Sequence, residues 1–290
     1  MTAILLQQIL NGLSIASVIT LIAIGVTLIF GLTGIINFAH GEFLMVGSIV
    51  TWVAVSNGLS FWIAAVIGVA AVALLGFVLE RGLFRFTLAR PTNGFIVSLG
   101  LIVVLQHIVI LLYNGNQKSI PHPLTGVWQV GGVRIAAMRA LVIGATALVV
   151  ALTYVVITRS RYGRALRASV EDRDTAMLMG IPVRRHITGV FVFGSALAGL
   201  GGALLIGLFP ITPFTGGTIV MKGFAVALIG GLGNLTGAVA AGIILGLVEG
   251  FSAGYGLSQW TDAYSFGLMI LVLLIRPNGL FGGTSGPRVA

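Results

Sequence analysis

The 290-residue chain has no cysteine, so it offers no disulfide framework, no thiolate metal site and no cysteine nucleophile. Acid is nearly as scarce. Seven Asp and Glu residues oppose sixteen Lys and Arg, and charged residues make up 8% of the chain, where globular proteins carry roughly a quarter. Of the histidines, His107, His122 and His186 stand singly at no ligand spacing, so no metal is assigned. There is no G-x-x-x-x-G-K-[ST] phosphate loop; Lys118 and Lys222 each lie in the wrong context for one. What the chain does have is apolar residue, 57% of the total, with a mean hydropathy of +1.10. One soluble core cannot hide that much, so lipid must cover much of the surface and the chain reads as an integral membrane protein.

A bilayer-spanning helix needs about 20 mostly apolar residues, and the charges fall where such helices would end. None precedes Glu42, none separates Glu42 from Glu80, and none separates Arg90 from Lys118. Apolar runs cover 10–30, two spans within 43–79 broken at Ser56-Asn57-Gly58, then 94–113, 140–158, 187–208, 218–233, 236–253 and 262–276. The expected fold is all-α: a polytopic transmembrane bundle of about eight spans, with interrupted helices, forming a single permease-like domain over 1–290. The opening MTAILLQQIL has no basic region and no small-residue cleavage site, so it is expected to belong to the first helix rather than to a removable signal.

Basic residues set the orientation. Glu80 to Arg90 carries three arginines and Arg159 to Arg185 carries seven, which places both segments in the cytoplasm and 114–139 outside. The C-terminal RPNGLFGGTSGPRVA is then inside. With no Lys or Arg in the first 79 residues, the side of the N-terminus stays open. The net charge of +9 sits beside membrane spans, where anionic lipid explains it without nucleic acid.

Inside the first long apolar stretch, GLTGIINFAHGEFLMVG carries Asn37, His40 and Glu42. Charges and polar groups at membrane depth are costly unless they face a bundle interior or an aqueous cavity. With Gly31, Gly34 and Gly41 nearby, a broken helix is expected, in which Asn37 and His40 bond the freed backbone groups. These three residues are candidates for a translocation pathway or gate; a structural network pinning two helices, or a short loop, is the alternative. LIGGLGNLTG suggests a second interrupted or hairpin-like element, and Lys222 and Glu249 beside it read as snorkelling or helix-end charges. Gly194, Ala198 and Gly202, and likewise Ala238, Gly242 and Gly246, repeat every four residues, a spacing that lets helices approach closely in lipid.

The cytoplasmic segment SRYGRALRASVEDRDTAMLMGIPVRRHITG is too polar for lipid and too short for a domain. Ser169 with Asp172 resembles a capping box, and Gly180 with Pro182 supplies a stop. A helix over about 170–179 is expected, with Asp172, Ala176 and Met179 sharing one face. Its Ala176 and neighbouring methionines offer an adaptable surface for another protein.

This segment resembles the cytoplasmic coupling segment of the permease subunits of bacterial branched-chain amino acid ABC importers, the LivH type. GVTLIFGLTGIINFAHGEFLMVG is similar to that family's N-terminal signature, and the likeness continues through KGFAVALIGGLGNLTGAVAAGIILGLVEG and DAYSFGLMILVLLIRPNGLFG. The resemblance implies a multi-pass permease of the bacterial inner membrane and not an enzyme. It would translocate leucine, isoleucine or valine delivered by a periplasmic substrate-binding protein. The implied partners are a second homologous permease subunit and two ATP-binding subunits, which use the ATP; no cofactor is expected in this chain. The segment 159–187 is then the ATPase coupling segment, with Arg164 and Asp172 orienting it, Ala176 and Met179 in the contact, and Gly180 ending the helix. A permease of the same family for urea, short amides or other amino acids is the runner-up. An ATP-independent channel or secondary transporter would lack the docking segment, and a membrane-embedded enzyme would need convergent catalytic groups that the scattered acids do not provide.

Overall fold

The computed structural model describes residues 2–130 and 133–282. Among these residues the long elements are helices: α1 (Thr2–Thr33), α2 (His40–Ser56), α3 (Phe61–Gly82), α4 (Pro91–Tyr113), α5 (Ala137–Arg159), α6 (Arg161–Glu171), α7 (Arg173–Leu178), α8 (Val183–Leu208), α9 (Thr215–Gly230), α10 (Leu235–Gly254) and α11 (Thr261–Ile275). Helices α1, α3, α4, α5, α8 and α10 are long and apolar enough to cross a membrane; α2, α9 and α11 are shorter apolar helices. The nine apolar runs read from the sequence each correspond to one of these helices. A short antiparallel hairpin, β1 (Val127–Val130) and β2 (Val133–Ala136), interrupts the all-α pattern in the loop before α5 and pairs Trp128 with Ile135.

The hairpin fixes the end of the bundle at which the N-terminus lies. Gln7 of α1 accepts from the Arg134 N–H at 3.1 Å, and Asn11 accepts from the Arg139 guanidinium. The start of α1 therefore lies on the hairpin face. Its other end, about 48 Å away by helix geometry, meets Arg173 of the arginine-rich segment, whose guanidinium donates to the Leu32 carbonyl. By positive-inside reasoning that face is the one expected in the cytoplasm. The tail after α11 returns there, with Leu280 N–H bonded to the Ile229 carbonyl at 2.7 Å; residues 283–290, also expected inside, lie outside the described residues.

Helix α1 is the axis of the bundle, and most of its middle is fully buried. It packs on α10 through the small residues read from the sequence. Gly242 meets Thr20, Gly246 meets Ala16, and the stripe continues with Gly250 on Gly12 and Gly254 on Gln8. With little hydrophobic drive between helices in lipid, this close backbone approach supplies the van der Waals attraction that joins them. The α8 stripe divides its contacts: Gly194 faces Gly25 and Ile29 of α1, whereas Gly202 lies against α2, where the Ser48 hydroxyl donates to its carbonyl at 2.8 Å. Thus α8 joins an α1–α9–α10 group to an α2–α3 group.

A side chain on Gly246 has no room against Ala16. Gly246→Leu is expected to pry α1 from α10 and lower stability by about 1–3 kcal/mol or more, read as an early melting transition of the detergent-solubilised protein. Gly144→Leu, on an open face of α5, should melt with the wild type; equal melting of all three would refute the packing account.

Candidate functional site

Between α1 and α2 the chain turns back into the bundle. Gly34 adopts φ +68°, a left-handed conformation that costs glycine little. His40 then starts α2 against Gly25 of α1, more than two turns before the end of that helix. The break is thus a re-entrant segment, 34–39, in which Ile35, Asn37 and Ala39 are buried while Gly34 and Ile36 are exposed. Several of its freed backbone groups find side-chain partners, though not the residues expected from the sequence. The Thr33 hydroxyl donates to the Ile29 carbonyl at 2.6 Å and accepts from Ile35 N–H at 3.1 Å, while Phe38 N–H donates to Ser98 of α4 at 3.2 Å. Arg173 takes the Leu32 carbonyl.

Asn37 and His40, the residues expected to make those bonds, are buried with both polar side-chain atoms unpartnered, as is one oxygen of Glu42. The other Glu42 oxygen accepts from Gln106 of α4 at 2.9 Å. The three side chains do not converge: His40 lies on Gly25 with its ring 5.7 Å from Phe43, and Glu42 points to α4. Between them Gly41 touches the backbone of Gly216, the first turn of α9. Helix α9 also begins inside the bundle, after a segment tied to the hairpin face by the Lys118–Ile211 bridge. Two interrupted helices, entering from opposite faces, therefore meet at their N-terminal ends. At LIGGLGNLTG the hairpin-like alternative is the one observed, a tight connection from α9 to α10, where Asn234 caps α10 by accepting from Gly237 N–H at 3.0 Å.

The cytoplasmic segment differs from expectation in its helix phase. A break at Asp172 replaces one helix over 170–179 by α6 and α7. Asp172 caps α7, accepting from Asp174 N–H, Thr175 N–H and the Thr175 hydroxyl. The Thr175 backbone and hydroxyl donors hold its carboxyl below the usual carboxylate range. This cap is present above that range and is lost only as pH falls through the lowered value. Ser169 is no cap; its hydroxyl donates to Ala165 within α6. Gly180 stops α7 at φ +78°, with Ile181 N–H reaching back to Ala176 and Gly180 N–H to Met177, a Schellman pattern.

The new phase separates the residues expected on one face. Ala176 is 3% exposed, whereas Leu178 and Met179 are 87% and 77% exposed. Ala176 and Leu166 sit in one buried cluster with Leu32, Ile35 and Ala39, which flank and line the break. Arg164 stays exposed on the opposite side of α6. The outward surface is therefore Met177–Met179, and Ala176 is turned inward against its own chain.

A further polar group was read only as isolated charges. Lys222 of α9 pairs with Glu249 of α10 at 2.9 Å and with Asp262 of α11 at 3.0 Å, and Ser265 donates to Glu249 at 2.7 Å. One buried cation thus ties three helices. The signal available in the sequence was that Lys222 and Glu249 both interrupt apolar runs, where an unpaired charge is costly.

Placing a carboxylate at Ala176 buries it among apolar side chains. Ala176→Glu is expected to destabilise the protein by roughly 2–4 kcal/mol, while Leu178→Glu leaves its thermal midpoint unchanged. Equal midpoints for the two variants would contradict the inward placement of Ala176.

A family model described as branched-chain amino acid transport system, permease component, matches residues 8–273. The chain is 37% identical to the high-affinity branched-chain amino acid transport system permease protein BraD of Pseudomonas aeruginosa, covering 96% of this chain and 95% of that one. It is 36% identical, with the same coverage, to the corresponding protein LivH of Escherichia coli K12. A second permease protein of that name in the same organism, LivM, is 25% identical over 90% of this chain and 67% of its own length. The re-entrant, multi-helical chain is a member of the family of permease components of branched-chain amino acid transport systems.

Proposed function

We propose that this chain is the membrane permease subunit of an ATP-driven importer of leucine, isoleucine and valine in a bacterial inner membrane. The names of its relatives support the substrate class. The presence of both LivH and LivM in one organism supports pairing with a second, related permease. The chain contains no phosphate loop, so the energy comes from two separate ATP-binding subunits, and a periplasmic binding protein delivers the substrate. No cofactor is needed in the permease itself.

One observation carries the mechanism. The cytoplasmic segment and the re-entrant break share a buried cluster, and Arg173 bonds the last turn of α1 directly before the break. An ATPase that grips Met177–Met179 from outside pulls on a segment whose inner face is packed against 32–39. Rigid-body movement of the docking segment therefore shifts the break, where the N-terminal ends of α2 and α9 touch. His40 and Glu42 flank that contact at Gly41, and they and Asn37 carry unpartnered polar atoms. Such atoms cost about 1–3 kcal/mol each when nothing meets them, which favours a position that opens to water and substrate during the cycle.

Reconstitution with the genomically neighbouring ATPase, second permease and binding protein tests the function. ATP-dependent uptake of labelled leucine is expected, and uptake that needs no ATP would contradict it. In that system Leu178→Glu is expected to abolish copurification of the ATPase, because a charge is set into an apolar contact. Asn37→Leu should keep the ATPase bound yet lower uptake at least tenfold, by roughly 1.4 kcal/mol or more. Full uptake by Asn37→Leu would return the break to a purely structural role.

A further inference from the structure

We propose that the crevice between α5, α6 and α8 on the arginine-rich face is a binding site for one anionic phospholipid. Helix α5 packs mainly on α1 and stands off from α8. The gap left beside it is an apolar cavity of about 410 Å³ walled by Leu152 and Val156 of α5, Tyr162 and Leu166 of α6, and Gly189 and Phe193 of α8. Leu152, Val156 and Phe193 are half-exposed, so the crevice opens sideways to lipid. A cavity of roughly 150 Å³ holds a six-carbon ring; this one therefore accepts on the order of a dozen or more chain carbons, the size of an acyl chain and not of a single solvent molecule.

Its depth and its rim specify the headgroup. The walls come from the last turns of α5 and the first turns of α8, both beside the arginine-rich face. On α8, Arg185 stands one turn before Gly189 and two before Phe193, on the same stripe, and its side chain tilts toward the helix N-terminus and so toward the headgroup layer. Arg159 follows Val156 by three residues on α5, and Arg161 adjoins Tyr162. All three arginines are exposed, and their side chains have no hydrogen-bond or ion-pair partner among the described residues. Arg167, in contrast, is spent on the Ile157 and Thr158 carbonyls at the end of α5. Three unneutralised arginines within about one turn of the residues that wall an acyl-sized crevice match a phosphate-bearing, net-negative headgroup, and basic pockets between helices on the cytoplasmic side hold such lipids. A zwitterionic lipid offers the same tails with no net charge to answer the arginines.

Tyr162 makes the site mechanically relevant. Its ring stacks on His186 of α8 at 5.0 Å and roofs the crevice, and it belongs to α6, which runs directly into the docking helix α7. A lipid under Tyr162 fills the gap beneath α6 and steadies the helix that leads to α7.

The test is native mass spectrometry of the permease purified with its associated subunits from mixed vesicles of phosphatidylglycerol and phosphatidylethanolamine. The wild type is expected to retain phosphatidylglycerol in preference. Each arginine beside anionic lipid contributes about a fivefold factor in affinity, so Arg159→Gln with Arg161→Gln and Arg185→Gln should weaken retention by up to about a hundredfold. Val156→Trp, which fills the crevice from an exposed position, should displace the lipid with all charges intact. A control triple of equal charge placed elsewhere, Arg90→Gln with Arg184→Gln and Arg276→Gln, should retain it. Equal retention by all four proteins, or equal retention of the two lipids by the wild type, overturns the site. So does loss of a protein subunit from Val156→Trp with bound lipid unchanged, which would make the crevice a subunit contact.

Discussion

Everything distinctive in this molecule hangs on how the backbone between Thr33 and His40 finds hydrogen-bond partners as it leaves α1 and turns back into the bundle. No lipid-exposed chain can do this, because hydrocarbon offers no partner for a freed N–H or C=O. Here the partners are gathered from three places: Thr33 itself, Ser98 on α4 and Arg173 from outside the membrane. The last of these gives the break a cytoplasmic handle. A group that stabilises an irregular segment can also move it, and Arg173 belongs to the element best exposed to a protein partner.

From that constraint the rest of the architecture follows. The break must be covered by protein, so α2 and α9 are brought to touch at Gly41 and Gly216, and α8 bridges α1 and α2 through Gly194 and Gly202. The small-residue stripe of α10 grips the α1 axis along its hairpin half, from Thr20 back to Gln8. Below that grip, the cluster of Leu32, Ile35, Ala39, Leu166 and Ala176 forms a single packed body that joins the break to α6 and α7. Cores of this density shift as bodies and do not deform smoothly.

Much of this was legible from residue order. Apolar runs gave the nine apolar helices, four-residue spacing gave the close-packing face of α10, and Gly180 gave the end of α7, because each rests on local chemistry with one natural outcome. The break itself was visible from Asn37, His40 and Glu42 amid apolar neighbours, but its bonding was not. Thr33 and Ser98 look like ordinary helix residues, and Arg173 lies far away in sequence; only packing brings them together. The direction of Ala176 was missed for a different reason. Asp172 favours a first helical turn and equally favours an N-cap, and choosing the cap turns every following side chain to a new face. The Lys222–Glu249–Asp262 group was missed because three helices must pack before its members meet.

The central claim is that the docking segment holds the break through Arg173, and the quantity that reads it is labelled leucine transported per ATP hydrolysed by the reconstituted complex. Arg173→Gln should leave the ATPase bound and hydrolysing, since Met177–Met179 are untouched, yet lower that ratio several-fold, and Arg173→Lys should restore part of it by returning a charged donor to the Leu32 carbonyl. A ratio equal to wild type in Arg173→Gln, with uptake and hydrolysis both intact, would show that the break takes no instruction from this contact.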